Sequence, residues 1–396
     1  MRLETRALIL TSLAHFANDG NMLLYPVLIT YYELIPGANI VFLGSVAIIY
    51  NVISGVLSTP VGIFADSHNM DTVILALGIF LNGISVLFFV LPFIEHSSMI
   101  PSVIVGSLLL GLGQSIYHPV GGTMVTESYE RERAPKALGI NGALGSLGRA
   151  VIPTAIVSAM TALGYINGLT VIAVYLLLSS AVIYFGLRDF RRRRTQEGSS
   201  KTTTFTMQKG FSVLYVVMIV IFFRSMFTTA TLTFVPQFLT GLLRSRAVMS
   251  YVITVGFAFS VGGQPFFGLM QARFGGRKSV ALTTILSGVS FLAFLYFSRY
   301  IIADFVLYSI YAFFTYSVFP VLLGYVNNIV PPAFSTRANS IVWGIGQTVG
   351  GAAGIGVMTG LIAFLPLMTV MWLMLLFSLA SMLTLPFIPS DRNIQK

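Results

Sequence analysis

Apolar runs of twenty residues or more recur from residue 5 to residue 386, with little chain between them. About twenty such residues are what a helix needs to cross the hydrocarbon of a bilayer. Inside hydrocarbon every backbone N–H and C=O must find its partner within the protein, and a run of this length does so as a helix. Breaks at charged, Gly and Pro clusters mark twelve predicted spans, over 5–31, 40–65, 72–94, 100–126, 137–162, 168–187, 211–239, 247–271, 279–298, 302–329, 338–364 and 366–386. The predicted fold class is therefore all-α integral membrane, with twelve transmembrane helices and both termini on one side.

Only 9% of residues are charged and 56% are apolar, against about a quarter and about half in a soluble domain. The first run is too long for a signal peptide and lacks a small-residue cleavage site, so it reads as the first span. Zero cysteines exclude disulfides, thiolate metal sites and thiol nucleophiles. The formal charge of +10 reads as topology, because nucleic-acid binding needs a basic face on a folded soluble domain. With the N-terminus in the cytoplasm, eighteen of twenty-three Lys and Arg fall on the inner side, three (Arg244, Arg246 and Arg299) fall outside, and Arg149 and Arg224 lie within spans. This bias predicts a multi-pass protein of the cell membrane with both termini cytoplasmic.

The only long hydrophilic segment, 188–210, contains Arg191, Arg192, Arg193 and Arg194 and reads as a basic cytoplasmic linker between a bundle over 1–187 and another over 211–396. A repeat supports the division: Lys136-Ala137 with Gly145 returns as Arg337-Ala338 with Gly346, and Gly62 returns as Gly268. Paired halves with a site near the midplane mark secondary transporters.

Ionisable groups inside a membrane are costly and are functional candidates by default. Those well inside spans are His15, Asp19, His118, Arg149 and Arg224. His15 and Asp19 stand four residues apart on one helical face, which suits a proton relay, since the proton affinity of a buried carboxylate depends on its cations and water. An Asp19–Arg149 ion pair that merely ties two helices is the alternative. Arg149 and Arg224 keep their protons and suit an anionic substrate group. His118 precedes Pro119, so it suits either substrate contact or the carbonyl freed by the proline. Tyr25, Asn18, Gln114, Tyr117 and Gln347 are further candidates for the substrate site. Spacing gives no metal site: beyond His15 and Asp19 no two potential ligands are helical neighbours, and zinc wants three or four.

Twelve spans as six plus six, a basic central segment and Gly-led motifs after the second and eighth spans together resemble the major facilitator superfamily. Gly62-Ile63-Phe64-Ala65-Asp66 keeps the acidic part of its loop signature, and Arg273-Phe274-Gly275-Gly276-Arg277-Lys278 keeps the basic part. The resemblance implies two pseudo-symmetric six-helix bundles, a monomer, and gating roles for Asp66, Arg273, Arg277 and Lys278. His15-Phe16-Ala17-Asn18-Asp19, with Gly111 to Pro119, resembles the fosmidomycin-resistance type of exporter, although Val120 stands where that branch carries an acid. Gly139, Gly142, Gly145 and Gly148 resemble the Gly-rich antiporter motif, and close helix packing explains such spacing equally. The expected function is a proton-coupled exporter of small organic molecules, with an anion symporter as the alternative. No nucleophile, cofactor constellation or Walker lysine motif argues for an enzyme or an ATP-driven pump. The expected partners are a small-molecule substrate, protons and membrane lipid, with no cofactor and no nucleic acid.

Overall fold

A computed structural model describes residues 3–130, 133–190, 207–298, 300–330, 338 and 342–389, and these contain helices and no strand. The membrane-crossing segments are α1 (Leu3–Asn21 and Leu24–Tyr32), α2 (Ile40–His68), α3 (Asp71–Ile94), α4 (Met99–Gln114 and Tyr117–Ser128), α5 (Ala134–Leu163) and α6 (Tyr165–Leu187). The second set is α7 (Met207–Leu243), α8 (Arg246–Phe274), α9 (Gly276–Phe297), α10 (Ile301–Tyr316 and Phe319–Ile329), α11 (a π-helical Val342–Val349 and Gly350–Ile362) and α12 (Leu367–Thr384). Each predicted span falls on one of these twelve. The basic run Arg191–Arg194 lies outside the described residues.

Three interruptions follow from proline. Pro26, Pro119 and Pro320 cannot bond the carbonyls of Met22, Ser115 and Tyr316 four residues back, and α1, α4 and α10 part at those places. Pro236, by contrast, lies inside the unbroken α7. Losing one hydrogen bond permits a break, and the packing around it decides whether one forms. The Gly-led motifs also differ from expectation: Gly62 to His68 is the last part of α2, and Gly268 to Phe274 is the last part of α8. The turns are short, ending in left-handed Asn69 (φ 53°) and in Gly275 (φ 89°).

Within each bundle, close glycine contacts set the helix spacing. A Cβ on Gly148 of α5 would stand 2.2 Å from the Phe16 carbonyl oxygen of α1, and one on Gly354 of α11 would stand 2.1 Å from the Met226 carbonyl oxygen of α7. The packing explanation therefore holds for the later glycines of both motifs. Gly139 has nothing within 4 Å, so it takes no part in this approach.

One apolar core joins the two bundles, from Tyr25, Tyr32 and Phe89 to Phe227, Phe291 and Tyr311. Across the bundles α5 packs on α8 and α2 on α11. Thr154 and Thr254 hydroxyls meet at 2.6 Å, and Thr254 donates to the Ala150 carbonyl. At the end of the bundles opposite the N-terminus, Arg246 donates to the Thr30 carbonyl (3.1 Å) and lies 4.6 Å over the Tyr31 ring, while Gln237 donates to Glu33. Contacts between bundles thus close that end.

Candidate functional site

The break in α4 and the glycine contact between α1 and α5 bring three helices together around Asp19. Asp19 is 3% exposed. Its Oδ2 lies 2.9 Å from Arg149 NH1 and 3.2 Å from His15 Nε2, and its Oδ1 lies 3.5 Å from His118 Nε2. Asn18 donates to Oδ1 at 3.2 Å. A Cβ on Gly145 would stand 2.3 Å from His15 Nε2, so the absence of a side chain there gives the imidazole its place.

His15 is held on its other nitrogen. Its Nδ1 lies 2.9 Å from Asn141 Oδ1, the oxygen that also accepts from the Tyr117 hydroxyl at 2.7 Å. The Asn141 amide nitrogen in turn donates to Thr11 and Ser12 at 3.3 Å. In this orientation of the amide, Nδ1 carries a hydrogen. Nε2 then faces Asp19 Oδ2 at 3.2 Å, so an imidazole nitrogen and a carboxylate oxygen are in direct contact.

The network continues across the molecule. Arg149 NH2 donates to Ser146 Oγ at 2.9 Å, and Gln264 of α8 donates to the same hydroxyl at 2.8 Å. Asp19 is thereby connected through Arg149 and Ser146 to the second bundle. Asn141, Ser146 and Gln264 escaped the sequence reading, although each is a polar residue in an otherwise apolar span, the signal that finds such groups.

The other candidates divide by exposure. His118 offers a side chain 54% exposed, beside Asp19, and Arg149 one 18% exposed. Both face accessible space. Tyr25 is fully buried, donates to the Leu43 carbonyl and stacks among Tyr50 and Phe89. Tyr117 is 2% exposed and serves Asn141, and Asn18 is fully buried, its carbonyl accepting from Gln114 at 2.8 Å. In this conformation these three, named above as substrate candidates, are enclosed by protein. Gln347 sits in the π-helical turn, where its carbonyl accepts from Ser225.

Arg224 requires the largest correction. It is 4% exposed, donating from NH1 to the Thr284 hydroxyl at 3.0 Å and from NH2 to the carbonyls of Phe314 and Thr315 at 3.3 and 3.1 Å. Those carbonyls end the first piece of α10, where a helix leaves acceptors without partners. In this conformation Arg224 caps that end.

Folding also brings together what spacing kept apart: His15, Asp19 and His118 place one ligand atom each within 4.8 Å of the others. The Arg149 guanidinium already balances the carboxylate, so a cation there must compete with it. Of the gating set, Asp66 is in the last turn of α2 and its side chain lies outside the described residues. Arg273 lies over the Phe274 ring, Arg277 donates to the Pro386 carbonyl, and Lys278 is exposed; none is in an ion pair among the described residues.

The sequence profile of the Major Facilitator Superfamily matches residues 8–242. The chain belongs to this superfamily. It is a multi-pass membrane transporter, and the matched residues include the whole Asp19 cluster except Gln264. Solved structures share the fold: a peptide transporter POT in complex with sulfate (14% identity, TM-score 0.77, covering 97% of this chain and 93% of that one) and a D-xylose-proton symporter (13%, 0.75, 98% of each). A mutant of the same kind of peptide transporter aligns with TM-score 0.76 at 14% identity, over 96% of this chain and 94% of that one. No curated protein matches the chain.

Proposed function

We propose that this superfamily member is a proton-coupled secondary transporter working by alternating access, with Asp19 and His15 as the coupling pair. The observation that carries this is the His15–Asp19 contact, 3.2 Å long and fixed from behind by Asn141, which sets two groups of the kind that exchange protons side by side. Histidine is the side chain that titrates nearest neutrality. Arg149 and the exposed His118 edge the pair, so a substrate in the accessible space would meet the coupling site directly.

The first reading is export of small organic molecules in exchange for protons, with His118, Arg149, Gln114 and Gln347 as substrate contacts. Exchange requires that substrate and proton compete for Asp19. The second reading is uptake of an organic anion with protons, and the 2.9 Å Asp19–Arg149 pair favours it for anionic cargo. Protonating Asp19 frees Arg149 for an anion, and losing that proton takes the arginine back, so proton and anion travel together. Binding energy linked this way shifts each equilibrium by the same factor. The bundle bounds 1–187 and 211–396, with a basic linker between, and the cell membrane with cytoplasmic termini complete the reading. Asp66 with Arg273, Arg277 and Lys278 would close the inner side when the outer side opens.

Purified protein in liposomes under opposed pH gradients separates the readings: exchange moves substrate against the proton, symport with it. Asp19→Asn should abolish the response to the gradient while leaving downhill exchange of substrate. A fully gradient-sensitive Asp19→Asn refutes the coupling assignment.

A further inference from the structure

Asp304, in the first turn of α10, is 1% exposed, and neither carboxylate oxygen has a hydrogen-bond partner. Removing an ionised carboxylate from water without a partner is prohibitive; such a group is paired or neutral. The elements packed against it are α8 and α9. At the outer end of α8, Arg246 is turned to Thr30 of α1 and Tyr251 is 49% exposed. The outer end of α9 carries Tyr296, 71% exposed, and its cations Arg277 and Lys278 are at the opposite end. Among the described residues no cation is paired with Asp304, the condition in which a buried carboxyl is held neutral.

The residues below it form a series. Tyr308 and Thr315 are four and eleven positions on, along one helical face with Asp304, and Tyr316 stands beside that face; all three hydroxyls are buried, close to one another and to that of Tyr311. Between them the Tyr311 hydroxyl meets that of Thr231 at 2.9 Å. Buried polar groups are almost always satisfied, by protein or by ordered water. A row of buried hydroxyls below an unpartnered carboxyl offers ordered water the two to four polar partners that it needs. The row runs from Asp304 to the carbonyls of Phe314 and Thr315 that Arg224 caps.

We propose that Asp304 is a second proton-binding site, in the C-terminal bundle, served by a hydrated path along Tyr308, Tyr311, Thr315 and Tyr316. The step is a proton transfer between a carboxyl oxygen and water. The proton is held while the outer side is shut by Arg246, as here, and leaves when the outer end of α10 meets water. This site stands apart from the Asp19 pair and needs no knowledge of the substrate.

Infrared difference spectroscopy on the full chain in lipid tests it. At neutral pH the wild type should show the carbonyl stretch of a protonated carboxyl that Asp304→Asn removes and Asp304→Glu shifts. Tyr308→Phe with Tyr316→Phe should slow hydrogen–deuterium exchange of that band about tenfold, the weight of one hydrogen bond. If Asp304→Asn does not fold, the Asp304→Glu shift decides the same point. A spectrum without an Asp304-dependent band overturns the site, and exchange unchanged by the tyrosine variants overturns the path. Neither readout uses transport, so failure here leaves the Asp19 assignment to its own test.

Discussion

Asp19 and Arg149 are a buried pair whose members have unequal support. Removing the arginine strands a carboxylate at 3% exposure, and breaking a buried pair from one side costs about 3–5 kcal/mol. Arg149→Ala should therefore lower thermal stability sharply, while Asp19→Asn with Arg149→Ala recovers much of the loss. Unfolding in detergent, read as a double-mutant cycle, measures this. Asn141 is the other pivot. Asn141→Leu leaves the Tyr117 hydroxyl and His15 Nδ1 without their acceptor, at about 1–3 kcal/mol for a buried group left unsatisfied. It also frees the imidazole to place its hydrogen on Nε2, so the pH dependence of transport should change together with stability. Loss of stability alone, with an unaltered pH profile, would make Asn141 merely structural. For Arg224, which caps a broken helix, Arg224→Ala is expected to weaken anionic and neutral ligands alike through the fold.

At the scale of helices, small residues decide how near α1 and α5 come. Gly148→Ala places a methyl 2.2 Å from the Phe16 carbonyl oxygen, backbone that cannot rotate away, whereas Gly139→Ala meets nothing within 4 Å. The first substitution should separate the helices, lengthen the Asp19–Arg149 pair and abolish coupled transport; the second should be silent. Transport assays with a thermal-unfolding control check the contrast, and equal effects would refute it. Proline at the breaks was readable in the sequence, because the missing N–H names the carbonyl left free. That Pro236 leaves α7 whole was not, since the outcome depends on neighbours far along the chain.

The whole molecule is closed where Arg246 meets Thr30 and accessible toward His118. Arg246 is central to that closure. Arg246→Ala should shift the population toward outward-facing states. The absence of native cysteine lets spin labels be placed in pairs on α1 and α7 at the outer end, and a longer distance distribution in the variant is the expected result. An unchanged distribution would show that the apolar core between the bundles suffices. A contact of one arginine with one carbonyl and one ring is worth about 1–3 kcal/mol, enough to move a two-state balance about tenfold or more.

The sequence by itself determined twelve helices, their order and the superfamily, because hydrocarbon imposes a single length and a single backbone solution on every span. It also singled out His15, Asp19 and Arg149, since charge at membrane depth is conspicuous. Which of the charged groups meet was decided only by the tertiary structure. His118 joins the Asp19 cluster, while Arg224, equally conspicuous, turns to cap α10. Asn141 gains its role from His15, 126 residues distant in the chain, and Ser146 and Gln264 gain theirs from each other across 118. Asp304 shows the same limit from the other side: its type and place were visible, and its isolation was not. Periodicity and hydropathy act along one helix, whereas a proton site is made by what several helices bring, or fail to bring, to one carboxylate.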